Sequence, residues 1–332
     1  MTGMTSDQLL LSLRGAGEPT RLRVLALLAE GERSVKDLTD ILGQSQPRIS
    51  RHLKLLVDAG LVRRHPEGAW AFFRLSDDGR GAVFTRQVLS LIQADDPLIA
   101  RDRERLDALR RANAEHAQNY FARHAAVWDQ IRSLQIDDQL VEAAVLDLVG
   151  PGRLGTVVDL GTGTARMLQL LADRMTRGIG LDVSHDMLAY ARSRLESTGL
   201  RHCQVRQGDI YSAPLESEIA DLVVVHQVLH FLDDPARALA EAKRLLKPGG
   251  RLVVVDFAPH DLEFLRTEHA HRRLGFDNDH MSEWMRGVGL EPDRHVELAA
   301  TGRHDTLTVA LWSARDQRPP QTETEKLSEE AA

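Results

Sequence analysis

A single cysteine, Cys203, occurs in 332 residues. One thiol excludes an internal disulfide framework and suits a reducing compartment. It also excludes the clustered thiolates that soft metal ions prefer. No apolar run approaches the roughly 20 residues of a membrane-spanning helix, so no membrane association is expected. The first residues lack a basic stretch followed by an apolar core, so no secretory signal is expected, and the cytoplasm is the expected location. Glycine and proline are missing from residues 98–148, which excludes a flexible tether there. What is present is ordinary for a globular protein, with 42% hydrophobic and 27% charged residues. The length suits two domains. The formal charge of −7 is unevenly spread. Residues 1–95 hold 13 Lys+Arg against 11 Asp+Glu, and the remainder 29 against 38. A mildly basic N-terminal part on an acidic chain suggests a polyanion partner for that part alone.

The most informative stretch is VVDLGTGTARM, Val157 to Met167. A β-branched run from Thr156 to Val158 ends in an acid, a glycine-rich turn follows, and a helical pattern begins near Ala165. This strand–turn–helix heads a doubly wound α/β domain, with the ligand at the carboxyl ends of the strands. Gly161 and Gly163 let the backbone approach that ligand. A dinucleotide site, G-x-G-x-x-G, would need glycine at Arg166. The carboxylate of Asp159 repels a pyrophosphate but suits a ligand bearing an ammonium and a sulfonium, such as S-adenosylmethionine. A second apolar run ends in Asp182, 23 residues on, where an acid can accept both ribose hydroxyls. The third run, Cys203 to Arg206, leads to Asp209, placed for an adenine amino group. DLVVVHQVLHFLDD supplies strand 4. LLKPGGRLVVVDFAPH supplies a helix end, a Pro-Gly-Gly turn and strand 5. HVELAA and DTLTVALW read as closing antiparallel strands.

In order and interval these stretches resemble the class I S-adenosylmethionine-dependent methyltransferases, particularly the branch that methylates quinone precursors and other small molecules. The resemblance covers about Arg132 to Ser313. It implies a Rossmann-like α/β domain using S-adenosylmethionine and releasing S-adenosylhomocysteine. The cofactor residues it implies are Asp159, Gly161, Gly163, Asp182 and Asp209. Met187 is read either against the adenine ring or as core. Ala165 stands where the family has glycine, and slightly tighter cofactor packing is expected.

Methyl transfer needs mainly in-line positioning, exclusion of water and sometimes removal of a proton. The acceptor-side candidates are His226, His230, Asp256 and His260. His226 ends strand 4 and reads as a base for an enol, phenol or carbon acid, or as a partner of backbone or cofactor. His230 is read as catalytic or as packed under a lid. The strand-4 end reads HQVLH, not the Asn/Asp-Pro-Pro-aromatic motif of amino-methylating DNA enzymes. Cys203 is too far from this site for a cytosine-C5 nucleophile.

The N-terminal part reads differently. Leucines at helical spacing mark helices over 8–16 and 18–30, with Pro19 opening the second. Ser34 and Asp37 form a capping box at the start of SVKDLTDILG, which Gly43 closes. Ser45 is expected to cap QPRISRHLKLLVDAG, ending at Gly60. Two short helices joined at a glycine form a helix-turn-helix. Leu61 to Arg64 and Trp70 to Leu75 read as a β-hairpin, and a helix follows over Gly81 to Gln93. Glu18 to Leu75 resembles the ArsR/SmtB family of dimeric winged-helix repressors, carried by EPTRLRVLALL and SQPRISRHLKLLVDAGLVRRHPEGAWAFFRL. The resemblance implies a homodimer on double-stranded operator DNA, with the second helix of the pair in the major groove. Gln46, Arg48, Ser50 and Arg51 would face base edges, Arg48 toward guanine and Gln46 toward adenine. Lys54, Arg63 and Arg64 would touch phosphates. The bland alternative is a helical protein-interaction domain with a solvated surface. The metal-sensing members' cysteine pair is missing: Ser34 and Lys36 stand there. No metal site is expected.

Asp96-Pro97 breaks the chain before a charged, alanine-rich connector read as one or two helices. Tyr120 and Trp128 in it are candidates for a lid over the cofactor, or for packing on the sheet. The insert His260 to His280 carries four histidines, but His269 and His271 do not share a helix face. It is read as covering the active site. The polar stretch from Asp316 is read as disordered. The organisation expected is therefore mixed: an α+β winged helix over 1–95, a helical connector over 96–148, an α/β doubly wound methyltransferase domain over 149–315, and a tail over 316–332. Two functions compete. One is a regulator carrying an active small-molecule methyltransferase. The other is a repressor that uses the same fold to sense S-adenosylmethionine or S-adenosylhomocysteine.

Overall fold

The structure is a computed structural model and describes residues 4–67, 70–76, 79–93, 95–124, 138–299 and 307–319. It forms two compact units, one comprising Met1–His116 and the other chiefly Ala117–His260 and Phe264–Ala332.

The first unit contains α1 (Ser6–Ala16), α2 (Pro19–Leu28), β1 (Arg33–Ser34), α3 (Val35–Leu42), α4 (Gln46–Asp58), β2 (Val62–Glu67), β3 (Trp70–Leu75), α5 (Gly79–Ser90) and the first part of α6 (Pro97–His124). The helix ends follow from local chemistry. The Ser34 hydroxyl accepts from Asp37 N while the Asp37 carboxylate accepts from Ser34 N, the reciprocal box expected. Gly43 ends α3 at a left-handed φ of +63°. Ser45 sits at the N-cap of α4, but its hydroxyl makes no capping bond; the backbone carbonyl of Ser45 instead accepts from Arg48 N and Ile49 N. Leu25, Leu38, Ile49, Leu53 and Leu56 are all fully buried, which fixes the two-helix pair on α2. Strands β1, β3 and β2 form an antiparallel sheet in that order.

The connector does not stand apart from this unit. Arg23 on α2 grips Asp102 on α6 bidentately, at 2.6 Å through Nε and 2.6 Å through Nη2. Asp102 is 1% exposed, and Leu106 joins the same hydrophobic core. Arg105 and Arg110 donate to the carbonyls of Ile41 and Glu30.

The second unit contains the rest of α6, then α7 (Asp138–Val149), β4 (Leu154–Leu160), α8 (Arg166–Leu171), β5 (Met175–Asp182), α9 (His185–Ser197), β6 (Cys203–Gln207), β7 (Ala220–His226), α10 (Pro235–Leu245), β8 (Leu246–Phe257), α11 (Phe264–Glu268), α12 (Asn278–Gly287), β9 (Leu290–Leu298) and β10 (Val309–Asp316). The seven strands lie in the order β6-β5-β4-β7-β8-β10-β9. The first five are parallel, and β10 runs antiparallel to both its neighbours. Their apolar runs are buried on both faces, as a helix-covered parallel sheet requires: Val157, Val158, Val223, Val224, Val253 and Val254 are fully buried. The chain winds outward from β4 in one direction and from β7 in the other. The crevice between these two strands is the topological switch point where such sheets bind ligands.

Two boundaries differ from expectation. The Pro-Gly-Gly segment lies inside β8 rather than before it. The β7 register jumps from Ala220 opposite Leu246 to Leu222 opposite Arg251, so the proline, which has no N–H for the ladder, is bulged out. The last strand continues to Asp316, which is 3% exposed and held by Lys243 at 2.6 Å and by Arg318. The tail expected from Asp316 therefore starts as a strand end, and residues 320–332 lie outside those described. No helix among the described residues is long and apolar enough to cross a membrane.

Candidate functional site

At the carboxyl end of β4 the chain turns through Gly161 to Ala165. Gly161 N and Thr162 N both donate to Leu181 O on β5, at 2.8 and 2.9 Å. Thr162 Oγ1 donates to Asp159 Oδ2 at 2.6 Å. The other carboxyl oxygen, Oδ1, is buried with no hydrogen-bond partner among the described residues. Burial pushes the Asp159 pKa up to about 7; the Thr162 hydrogen bond opposes this and the nearby Asp182 adds to it. Asp182, at the end of β5, accepts from Gly163 N at 2.8 Å through Oδ2 and from Ser184 N at 2.9 Å through Oδ1. Burial raises its pKa, against those N–H groups. The two acids thus flank the glycine turn, one beneath it and one tied across it.

The turn is packed tightly on its other side. Gly161 has a φ of +74°, and a Cβ there would stand 2.7 Å from Val228 Cγ2, in the loop after β7. Ala165 is fully buried with a φ of +65°. The resemblance led to an expectation of tighter cofactor packing at this alanine. Its backbone gives a different reason for glycine there: the left-handed conformation, which an L-residue adopts at a cost. Met187, in the first turn of α9, is 1% exposed, the burial of a core residue. Asp209 lies exposed beyond β6 and accepts from Tyr211 N at 2.9 Å.

The acceptor side is built by the segment after β7. His226 ends that strand and is half-buried. Gln227 follows with a φ of +51°, then Val228 and a 3₁₀ turn, Leu229–Phe231. His230 Nδ1 lies 2.8 Å from Asp256 Oδ1, on β8, and His230 N donates to Asp256 Oδ2 at 3.3 Å. Asp256 is fully buried and His230 is 2% exposed. Arg272 N and Arg273 N donate to His230 O, at 2.7 and 3.0 Å, which fixes the turn from behind. The His271 ring lies 4.1 Å from that of His230 and stacks on Phe257 at 18°. Burial and then the charges of His230, His260, His269 and Arg266 drive the His271 pKa far down, so it stays neutral. Tyr120 joins this cluster: its hydroxyl lies 2.7 Å from His269 Nδ1, and Phe121, Phe231 and Ala270 pack with it. His260 lies with its ring 6.1 Å from that of Phe257. Trp128 lies outside the described residues.

Sequence reasoning thus placed the acids and glycines of the turn, and it placed His230 and Asp256 near one another without pairing them. It missed Thr162 and Val228. Hydroxyl and β-branched residues at those positions carry no signal of their own.

In the first unit, Gln46, Arg48, Ser50, Arg51 and Lys54 are exposed along α4, opposite the buried Ile49, Leu53 and Leu56. Arg64 on β2 is exposed and Arg63 half-buried. The polar residues therefore form one free face of the helix, as groove insertion requires.

Comparison with known proteins agrees with this division. Residues 18–64 match the model of the bacterial regulatory protein, arsR family, and residues 158–254 match that of a methyltransferase domain. An HTH-type transcriptional regulator of Methanocaldococcus jannaschii is 48% identical over 63 residues, 19% of this chain and 71% of that protein. The chain belongs to the arsR family of regulators, and its second unit is a class I methyltransferase domain fused to that regulator. The trans-aconitate 2-methyltransferase of an Azoarcus species is 26% identical over 246 residues, 60% of this chain and 94% of that one. A structure of the complex between the Haloferax volcanii Trm112 methyltransferase activator and a methyltransferase matches with a TM-score of 0.50 and 23% identity, over 59% of this chain and 97% of that chain. Against other curated relatives the chain spans only 33 to 54% of their length.

Proposed function

We propose that this protein is a DNA-binding transcriptional regulator whose second unit binds S-adenosylmethionine and methylates a small molecule. The observation that carries the reading is the pair of acids around the glycine turn. Asp159 keeps one buried carboxyl oxygen without a partner among the described residues, a costly arrangement unless a ligand completes it. An ammonium group is suited to do so. Asp182 is already aimed by two backbone N–H groups, and each of its oxygens has acceptor capacity left for a ribose hydroxyl. Asp209 is assigned to the adenine amino group, and Gly161 and Gly163 to close backbone approach. Met187 is assigned to the adenine side, backing it from within the core, and Tyr120, with its aromatic neighbours, is assigned to the lid over the cofactor. When bound, S-adenosylmethionine supplies an electrophilic methyl group. The chain's own part is to hold it in line with the acceptor and keep water out. His226, His230 and His260 are the acceptor-side residues.

In the first unit, Gln46, Arg48, Ser50 and Arg51 on α4 read base edges, and Lys54, Arg63 and Arg64 hold phosphates, the hairpin serving as the wing. The unit works as a homodimer in this reading. Leu9, Leu10, Leu11 and Leu13 on α1 are 42 to 50% exposed, an apolar face that a second copy would cover. Operator DNA as partner places the protein in the cytoplasm.

The test has two arms. Mass spectrometry of the purified protein, released into acid, reads the ligand it carries. Anisotropy of labelled promoter DNA from its own gene reads the regulator. S-adenosylmethionine or S-adenosylhomocysteine in the first, and saturable retention in the second, are expected. Absence of both, with neither ligand bound when added, overturns the reading.

A further inference from the structure

We propose that the first half of α6 is a working part of the DNA-reading unit: Asp102 and Arg105 are positioning residues of the helix-turn-helix, and operator specificity depends on them although they touch no DNA. The inference rests on the regulator reading above and adds to it a control on how α4 is presented.

The arsR family match ends at residue 64, and α6 lies wholly beyond it. One stripe of α6 nevertheless belongs to this unit. Asp102, Arg105, Leu106, Leu109 and Arg110 follow one another at helical spacing and so share a face. Each of them meets the first unit. Asp102 is buried and takes two nitrogens of Arg23, on α2. Leu106 lies in the core that holds α2, α3 and α4, and Leu109 packs against it. Arg110 donates to Glu30 O at 2.8 Å, just past the end of α2. Glu104, Asp107 and Ala108, which lie between them, are exposed.

Arg105 reaches the turn itself. Its Nη1 donates to Ile41 O at 2.8 Å. Ile41 stands one residue from the end of α3, where carbonyls lack partners within the helix and carry the negative end of its dipole. A guanidinium there satisfies the carbonyl and complements the dipole. The same nitrogen lies 3.8 Å from the place a Cβ would take on Gly43, the left-handed residue of the turn. The other side-chain tie at the turn is slight: Gln44 Nε2 donates to Thr20 Oγ1 at 3.2 Å, and Ser45 gives α4 no side-chain cap. Gln46, the first residue assigned to base edges, begins α4 directly afterwards. Hydrogen bonds to base edges weaken steeply with misalignment. Attraction to phosphates carries no sequence information and is less sensitive to small shifts. Loosening the turn therefore removes specific binding first.

The test is anisotropy of labelled promoter DNA from the protein's own gene, set against unrelated DNA of equal length, on the full chain. Arg105 carries the test, because it is half-buried and its loss strands no buried charge. Arg105→Met keeps the apolar stem and removes the donors. It should weaken promoter binding by about tenfold, the scale of one lost hydrogen bond from a charged donor. Binding to unrelated DNA and the salt slope on the promoter should not change. Arg105→Lys, which keeps a cationic donor, should recover most of the loss. Asp102→Asn, shown to be folded by circular dichroism, should lower the ratio of promoter to unrelated binding in the same direction. A merely destabilised protein loses both kinds of binding in proportion, since its unfolded fraction reads neither DNA. Proportional loss on both DNAs in Arg105→Met, or no recovery in Arg105→Lys, would therefore overturn the positioning role. A salt slope lower by about one would make Arg105 a phosphate contact instead, and unchanged promoter affinity would leave it without a role. If the wild type does not prefer its promoter to unrelated DNA, the regulator reading fails and takes this inference with it.

Discussion

Val228 closes over Gly161, leaving 2.7 Å between its Cγ2 and the place a Cβ on the glycine would occupy. Gly161→Ala therefore meets two obstacles, the contact and a φ of +74°. The left-handed backbone alone costs about 1–2 kcal/mol, and pushing Val228 away disturbs the loop that carries His230. Denaturant melts should show that loss, and calorimetry should show S-adenosylhomocysteine binding weakened by roughly tenfold or more. Adding Val228→Ala should recover the steric part and leave the backbone part. A double variant no better than the single one would show that Val228 is not the obstacle.

Asp159 makes stability fall as pH rises. Its folded pKa of about 7 lies above the ordinary value of 3.8. The native state therefore binds more protons than the unfolded chain between these values, and unfolding free energy declines through that window. Asp159→Asn should flatten this part of the curve. A cation placed against the carboxylate favours its charged form, so S-adenosylmethionine binding at pH 6 should release a proton. Binding enthalpies measured in buffers of different ionisation enthalpy will show it. No buffer dependence in wild type, or an equal dependence in Asp159→Asn, contradicts the role.

Ala165→Gly should stabilise the second unit. Relief of a φ of +65° is worth about 1–2 kcal/mol, and the added freedom of the unfolded chain takes back about 0.4–1 kcal/mol. A denaturation midpoint unchanged or raised fits; a clear loss of stability would mean that the alanine methyl fills space the core needs.

On DNA, Arg48→Ala should relax base preference at one position in each half-site of a pseudo-palindromic operator. Arg63→Ala should weaken all sequences alike and reduce the salt slope by about one. Selection of binding sites by each variant, followed by salt titrations on the wild-type site, separates the two. Exchanged effects would reverse the assignment of α4 to bases and β2 to phosphates.

Much of this was legible because the signals are local. The Ser34–Asp37 box, the apolar runs ending in Asp159 and Asp182, and the doublet Gly161–Gly163 each fit within a few residues. What the sequence hid is long-range. Arg23 meets Asp102 across 79 positions and His230 meets Asp256 across 26, and no periodicity records such pairings. The connector reads as a charged, alanine-rich helix with an apolar face that includes Leu106, but nothing local in it shows that this face and the buried Asp102 pack against the first unit. Ser45 shows the limit of residue-type rules. It sits at the N-cap with its hydroxyl unused, because Pro47 at the second helical position has no N–H and the Arg48 N–H goes to the Ser45 carbonyl.

The central claim is that the acids around the glycine turn bind S-adenosylmethionine, and its product S-adenosylhomocysteine is the direct probe. Titration calorimetry on wild type, Asp182→Ala and Asp182→Asn should give saturable binding to one site per chain. Loss of hydrogen bonds to a charged acceptor is worth about 1.5–3 kcal/mol, so the alanine variant should bind roughly 10- to 150-fold more weakly. Equal affinity in all three proteins, each shown to be folded, would remove Asp182 from the site, and no binding to the wild type would contradict the account itself.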